Sequence, residues 1–141
     1  MMIVLIHHLA IAQIGIFETY DDYLNNKVIE YPGFKSTYHA AGNFKVVFLD
    51  KDGEKVKIDV DKASMWGYRN GYGYVLRVNE KNNPNVIILE GEIIVYGNYS
   101  TYFTADGASM RSNQFAPQIS RGLNGKMMDL NKKKSENNAR R

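Results

Sequence analysis

Hydrophobic and polar residues alternate through the middle of the chain, in the pattern of strands that bury one face. In residues 55–60, KVKIDV, three aliphatic residues alternate with three charged ones. A period of two places the aliphatic set on one face of a strand and the charged set on the other. The run FKVVFL at 44–49 predicts the preceding strand. The polar segment 50–54, which contains Gly53, predicts the hairpin loop that joins the two strands.

The segment MWGYRNGYGYVLRV, residues 65–78, predicts a second hairpin. Asn-Gly suits the two positive φ angles of a type I′ turn, so we place a two-residue loop at Asn70-Gly71. In that register each strand glycine lies opposite a tyrosine, which would cover the exposed backbone. The expected pairs are Gly67 with Tyr74 and Gly73 with Tyr68.

The same register divides four aromatic residues between the two faces of the hairpin. Trp66 and Tyr68 share one face, and Tyr72 and Tyr74 share the other. Residues 86–96, VIILEGEIIVY, predict one long strand with a bend or bulge at Glu90-Gly91-Glu92, because glycine tolerates a local kink. A turn at Gly97-Asn98 and a strand at 99–104 are expected to follow.

One short helix is expected before the strands. Thr19 followed three residues later by Asp22 is a capping-box pattern, and Asn25-Asn26 favours a stop. We therefore predict a helix at about residues 20–26. Turn signals at intervals of roughly ten residues then predict a mainly β fold. The expected architecture is an antiparallel meander curled into a small sheet or barrel, with that one N-terminal helix.

The chain divides into three parts on this interpretation. The opening MMIVLIHHLAIA ends in a small-x-small pattern, which is typical of a signal-peptide cleavage site. Residues 1–12 are thus predicted to be a signal peptide or its truncated remnant, with a first structural strand of a cytoplasmic protein as the alternative. Residues 13–130 form a single β-rich domain, and residues 131–141 form a polar, basic tail. Export to the periplasm or outside the cell is the expected location.

Charge argues against nucleic-acid binding. The net charge is +3, but residues 121–141 carry seven basic and two acidic side chains. The other 120 residues carry eleven basic and thirteen acidic side chains, so the expected folded body is slightly acidic. Basic charge confined to a terminus is typical of a solvated tail. No stretch approaches the roughly 20 apolar residues that span a bilayer, so no transmembrane segment is expected in the mature chain.

Four strings resemble a group of small exported proteins from Bacteroidota. They are GIFETYDDYLNNK, MWGYR, EGEIIVYG and SRGLNGKMMDLNKKK, in that order over residues 15–134. Members of the group have a signal peptide, an early ETYDDYLNN segment, a Trp-Gly-Tyr strand and a closing Leu-Asn-x5-Leu-x-Lys-Lys element. The resemblance implies export and a shared fold, and it brings no activity with it.

Residues for catalysis are scarce. The chain has no cysteine, and His39 is the one histidine beyond residues 1–12. A zinc site or a catalytic triad needs partners for that histidine, so we expect no metal, no cofactor and no catalytic residue. Glu90 and Glu92 could form a glycosidase pair, but a solvated strand face explains them more simply. We therefore predict that the protein is not an enzyme.

Aromatic residues offer a better functional hypothesis. Tyrosine and tryptophan on a sheet face can stack on sugars or hold a partner strand. The candidate binding residues are Trp66, Tyr68, Tyr72 and Tyr74, although such rings also simply shield a sheet from water. The first hypothesis is a non-catalytic exported or cell-envelope module that binds a protein or glycan through an aromatic face. The alternative is a small-ligand-binding β-barrel with the same rings lining its cavity.

Overall fold

A computed structural model describes residues 12–98 and 118–129 of the chain. Most of the predicted leader, the strand predicted at 99–104 and the tail at 131–141 lie outside the described residues. Within these ranges, no helix is long and apolar enough to cross a membrane.

The described ranges contain eleven strands and one helix. In chain order they are β1 (Gly15–Phe17), α1 (Tyr20–Leu24), β2 (Ile29–Glu30), β3 (Gly33–Ala40), β4 (Asn43–Leu49), β5 (Lys55–Asp59), β6 (Gly67–Arg69), β7 (Val75–Val78), β8 (Pro84–Leu89), β9 (Ile93–Asn98), β10 (Gln118–Arg121) and β11 (Met128–Asp129).

These strands form two antiparallel sheets. The larger has eight strands in the order β11-β10-β9-β8-β7-β6-β1-β2, and the smaller has three in the order β3-β4-β5. Strands β6 to β11 follow one another as a meander, which confirms the predicted mainly β, antiparallel class. The larger sheet is not closed into a barrel, since β11 and β2 lie at its opposite edges. The smaller sheet covers the apolar face of the larger one, so that face is buried without closure into a barrel.

The main core lies between the two sheets. One row of apolar side chains crosses four neighbouring strands in register: Ile16, Tyr68, Leu76 and Val86. Val46 and Phe48 of β4 pack into the same buried cluster from the smaller sheet. Removing this much apolar surface from water is the main term that stabilises the pairing of the sheets.

The opposite face of the larger sheet is covered by other parts of the chain. The next row in register is Phe17, Gly67, Arg77 and Asn85. The α1 residue Tyr23 packs edge-on against Phe17, with ring centroids 5.3 Å apart. The β10–β11 loop places Met127 in a second buried cluster with Ile94 and Tyr96. Both faces of this sheet are therefore partly buried.

Helix α1 confirms the predicted capping box. The Asp22 backbone N–H donates to Thr19 Oγ1 (3.1 Å), and the Thr19 backbone N–H donates to the Asp22 carboxylate (3.1 Å). The hydrogen bond from the Thr19 hydroxyl holds the pKa of Asp22 below its usual range, although burial acts in the opposite direction. The Thr19 backbone N–H and the Lys27 charge lower this pKa further. The helix ends at Leu24 with Asn25 as its C-cap, slightly before the predicted end at residue 26.

The β6–β7 hairpin exists, but its predicted register is wrong. Arg69 pairs with Val75, and Gly67 pairs with Arg77 rather than with Tyr74. The loop is longer than two residues because the Asn70 side chain accepts hydrogen bonds from two backbone N–H groups, of Tyr72 and Tyr74 (both 3.0 Å). The left-handed conformation falls at Gly73, whose φ is 85°.

Two other hairpin loops use the same bonding. Asp50 accepts from the backbone N–H of Asp52 and Glu54, and Asn79 accepts from those of Lys81 and Asn83. In each loop the fourth residue has positive φ: 78° at Gly53 and 57° at Asn82. An Asp or Asn followed three residues later by Gly or Asn is therefore the recurrent hairpin signal of this chain.

The prediction of one long strand at 86–96 is also wrong. Strand β8 ends at Leu89 and β9 begins at Ile93, and the two pair as a hairpin around Glu90-Gly91-Glu92. The two aliphatic runs pair with each other, so the charged tripeptide forms the turn. Gly97 and Asn98, expected as a turn, belong to β9.

Candidate functional site

The structure places the four predicted binding residues in three different environments. Tyr68 is fully buried between the sheets, where its hydroxyl lies 2.9 Å from Thr37 Oγ1. Trp66 is 8% exposed and packs against Tyr23 and Arg77, on the other side of the larger sheet. Tyr72 and Tyr74 are 67% and 50% exposed in the β6–β7 loop. Trp66 and Tyr68, predicted to share one face of the hairpin, therefore lie on opposite sides of the sheet.

Tyr72 and Tyr74, which we name the tyrosine tip, are held by an ordered loop. Asn70, which fixes their backbone N–H groups, is itself buried. The Tyr72 ring meets Phe34 of β3 edge-on, with centroids 6.2 Å apart. The tyrosine tip thus presents two exposed rings, and the hydrogen bonds to the Asn70 side chain restrain the backbone that carries them.

Trp66 lies at the centre of an aromatic cluster beneath α1. Its ring stacks on Tyr23 with centroids 4.6 Å apart, and Tyr20 lies 5.6 Å away at a tilt of 40°. The Tyr23 hydroxyl donates to Glu90 Oε1 (2.9 Å), which connects the helix to the β8–β9 turn. Burial and this hydrogen bond raise the pKa of Tyr23 to about 12.

A cleft of about 230 Å3 opens beside the Trp66 ring. We name it the Trp66–Arg77 cleft. Its walls combine aromatic and charged residues, among them Glu18, Tyr20, Lys62, Trp66, Arg77 and Glu80. The volume is somewhat below the ~300 Å3 at which typical small-molecule sites begin, so it suits one small ring or one terminal group.

Arg77 occupies an unusual position for a cation. It is 3% exposed, and its guanidinium carbon lies 6.0 Å from the centroid of the Trp66 ring and 5.6 Å from that of Tyr96. Nη1 donates to the Tyr96 hydroxyl and Nη2 to the Gly125 carbonyl oxygen, both at 2.8 Å. Aromatic faces and neutral oxygens thus hold the charge in place.

A chain of hydrogen bonds orients the Tyr96 hydroxyl that receives Arg77. Ser120 Oγ donates to the Gly122 carbonyl (2.8 Å), so its lone pair accepts from the Tyr96 hydroxyl (2.9 Å). Each hydroxyl has one proton, and the direction of the chain follows from that count. Because Tyr96 donates onward, it is free to accept from Arg77.

Two buried donors at the cleft have no acceptor within residues 12–98 and 118–129. They are the indole Nε1–H of Trp66 and the Nε–H of Arg77. We name them the open donors. A buried donor without a partner costs about 1–3 kcal/mol, and more when it is charged, so most folded chains avoid it. Both residues line the same cleft, although the two donor atoms themselves are shielded from solvent.

The more exposed residues of the cleft include an ion pair. Lys62 Nζ lies 2.6 Å from Glu80 Oε1, and each side chain is close to half exposed. The hydrogen bond from Lys62 holds the pKa of Glu80 below its usual range, with a smaller contribution from the Arg77 charge. Glu80 is therefore ionised at neutral pH and is already engaged by Lys62.

The side chains that sequence analysis weighed for metal binding and catalysis lie apart in the described part of the chain. No group of three or more His, Asp or Glu side chains is close enough to bind a metal ion there. His39 lies on β3 beside the Phe44 ring, with centroids 4.9 Å apart. Glu90 accepts the Tyr23 hydroxyl.

Sequence reasoning identified Trp66 and missed its most important neighbour. In the sequence, Arg77 stands between Leu76 and Val78 and resembles an ordinary solvent-facing strand residue. Its burial depends on the Gly122–Met127 loop, which arrives from almost 50 residues further along the chain. No local pattern carries that information. The loop turns where the Gly125 backbone N–H donates to the Gly122 carbonyl oxygen (3.1 Å).

Comparison with known proteins finds no relative of this chain. The chain matches no protein-family model, no curated protein and no solved structure.

Proposed function

We propose that this protein is a non-catalytic module, exported to the periplasm or the cell surface, that binds a glycan in the Trp66–Arg77 cleft. The observation that carries the proposal is the presence of the two open donors at one cleft. Buried polar groups are almost always satisfied, so an unsatisfied pair beside a cavity favours a ligand that supplies the acceptors.

The other groups at the cleft suit a hydroxylated ring. Tyr20 and Trp66 offer aromatic surface, on which the C–H face of a sugar can pack. Glu18 and Glu80 offer acceptors for sugar hydroxyl groups, and Lys62 offers a further donor. A site that offers both hydrogen-bond donors and hydrogen-bond acceptors beside aromatic rings matches a sugar better than it matches an apolar ligand.

The electrostatics favour binding over hydrolysis. A glycosidase needs a carboxylic acid whose pKa is raised, so that it can protonate the leaving oxygen. Lys62 lowers the pKa of Glu80 instead. Glu80 is thus suited to accept a hydrogen bond and unsuited to act as a general acid at neutral pH.

A cleft-blocking variant tests the proposal. Asn124 is exposed and lines the cleft, so Asn124→Phe should fill it without disturbing the core. Lys51→Phe, on the exposed β4–β5 loop, is the matched control. On an array of immobilised neutral and acidic polysaccharides, the wild type and Lys51→Phe should bind the same members, and Asn124→Phe should bind none. Equal binding by all three proteins, or binding by none, would contradict the proposal.

A second candidate function, docking of a partner protein, is favoured by the exposure of the tyrosine tip. Two tyrosines at 67% and 50% exposure on a restrained loop are typical of a contact surface. The test is co-purification with the tagged full chain from an envelope fraction. A partner should be retained by the wild type and by Tyr38→Ser, and lost with the Tyr72→Ser/Tyr74→Ser variant. Identical retention by that variant would exclude the tip.

Export is tested separately by the intact mass of the protein from its native host. A mass that begins at Gln13, found outside the cytoplasm, is the expected result. A full-length cytoplasmic protein would contradict the location.

A further inference from the structure

Arg77 forms no ion pair in the described part of the chain. Three ion pairs occur there, Lys27–Asp22, Lys45–Asp59 and Lys62–Glu80, and Arg77 takes part in none of them. Its two hydrogen-bond acceptors, the Tyr96 hydroxyl and the Gly125 carbonyl, are neutral. Arginine is almost never this deeply buried without an anionic partner.

The acidic residues around the cleft do not pair directly with Arg77, although its charge helps to lower the pKa of Glu80. Glu80 is engaged by Lys62 at 2.6 Å, and Glu18 is exposed. The donors are deeply buried, whereas Glu18, Lys62 and Glu80 are exposed at the rim. The deepest charged residue of the cleft is therefore the buried Arg77, and the exposed residues at its rim carry charges of both signs.

We propose that the sugar in the Trp66–Arg77 cleft is an acidic one, whose carboxylate accepts hydrogen bonds from both open donors. This inference rests on the proposed function and specifies its ligand. Both donor atoms are shielded from solvent, so entry of a carboxylate requires the Trp66 and Arg77 side chains to shift and expose them. The carboxylate has two oxygens and a full negative charge, with which it accepts from Trp66 Nε1 and Arg77 Nε and neutralises the guanidinium. The hydroxyl groups of the same ring then meet Glu18 and Glu80 at the rim.

Calorimetric titration of the full chain with a matched pair of ligands tests the inference. Methyl β-D-glucuronide and methyl β-D-glucoside differ in the group at C6, which is a carboxylate in one and a hydroxymethyl group in the other. The glucuronide should bind at least about tenfold more tightly, because hydrogen bonds to a charged group are stronger than neutral ones. N-acetylglycine, which resembles the end of a peptide, should bind more weakly than the glucuronide, because it offers no ring to the rim.

Two sets of variants define the source of the preference. Arg77→Lys keeps the charge and removes the Nε donor, so it should reduce the glucuronide preference by about tenfold; its circular dichroism spectrum must match that of the wild type. The two acidic residues outside the described ranges are Asp106 and Glu136. The Asp106→Asn/Glu136→Gln variant should bind the glucuronide as the wild type does.

The outcomes separate the two proposals. Equal affinity for the glucuronide and the glucoside overturns the acidic-sugar inference and leaves glycan binding intact. Tighter binding of N-acetylglycine overturns it in favour of a peptide carboxylate. Glucuronide binding that appears only in the Asp106→Asn/Glu136→Gln variant assigns the counter-ion to the chain itself and also overturns it. Failure of every polysaccharide and glycoside to bind overturns the proposed function.

Discussion

Gly67 is the position where the pairing of β6 and β7 is most sensitive to a single added atom. A Cβ there would lie 2.4 Å from the Leu76 carbonyl oxygen and 3.2 Å from the Arg77 Cα. Ordinary contacts begin near 3.4 Å, so the strands would have to separate by about 1 Å. The atoms that a Cβ would meet belong to the β7 backbone, which cannot rotate away as a side chain would.

We expect Gly67→Ala to lower the free energy of unfolding by about 3 kcal/mol, at the upper end of the cost of overpacking. The entropy that alanine removes from the unfolded chain offsets less than about 1 kcal/mol of this. At about 4 °C per kcal/mol, the melting temperature should fall by roughly 10 °C. Because Gly67 lies between Trp66 and Tyr68, the cleft should be disturbed together with the core.

Gly91→Ala is the matched control. The nearest atom to a Cβ at Gly91 is the Ile93 carbonyl oxygen at 3.8 Å, an ordinary contact. Its melting temperature should stay within about 2 °C of the wild type, since such surface changes cost less than about 0.5 kcal/mol. Thermal unfolding followed by far-ultraviolet circular dichroism measures both variants. A Gly67→Ala protein that melts with the control would refute the close approach of β6 and β7.

Three further predictions concern local structure. Thr19→Ala should destabilise α1 by about 1 kcal/mol and speed its amide hydrogen exchange, whereas Thr19→Ser should restore protection; equal exchange in both would contradict the capping box. Asn70→Ala should cost about 2 kcal/mol in urea unfolding, because two backbone donors lose their acceptor. Asn70→Asp, which keeps that oxygen as Asp50 does in its own loop, should cost less, and an equal loss would refute the assignment. The pKa of Tyr23 is raised from 10.0 to about 12, so its stabilisation is complete below pH 10 and disappears as the pH rises to about 12. Tyr23→Phe should lack that alkaline step in urea midpoints, and a variant that keeps it would assign the step elsewhere.

Local side-chain chemistry explains which elements the sequence could predict. The capping box at Thr19 and Asp22 closes within four residues, so the position of α1 followed directly from the pattern. The β4–β5 loop was predictable for the same reason, since Asp50 bonds the backbone that immediately follows it. Elements whose hydrogen bonds begin and end within one turn are visible in the sequence.

Strand register and the choice of sheet depend on competition between alternative hydrogen bonds and packing partners, which the alternation of apolar and polar residues does not reveal. Asn-Gly at 70–71 favours a two-residue turn, but the Asn70 side chain gains two hydrogen bonds in the longer loop and places the positive φ at Gly73. Likewise, nothing in the alternation of β3 to β5 indicates that these strands leave the meander and form a separate sheet. That arrangement is determined by which apolar faces need covering.

For a related reason, only one of the two central residues of the cleft could be predicted from the sequence. Trp66 attracts attention as the single tryptophan, and its ring does line the site. Arg77 is recognisable only when Tyr96 and Gly125 are known to surround it, because its importance comes from burial and not from its neighbours in sequence. The prediction that Trp66 and Tyr68 share one face was wrong, because Tyr68 packs between the sheets and Trp66 packs against Tyr23 and Arg77 on the other side of the larger sheet.

The central claim is that the Trp66 indole and Arg77 Nε remain open for a ligand carboxylate. The chain has one tryptophan, so a 1H–15N correlation spectrum of the full chain contains a single indole Nε1–H signal. Methyl β-D-glucuronide should move that proton resonance downfield as the hydrogen bond forms, and methyl β-D-glucoside should move it much less. An indole signal that stays fixed while the glucuronide is bound at saturation would place the ligand elsewhere and contradict the account.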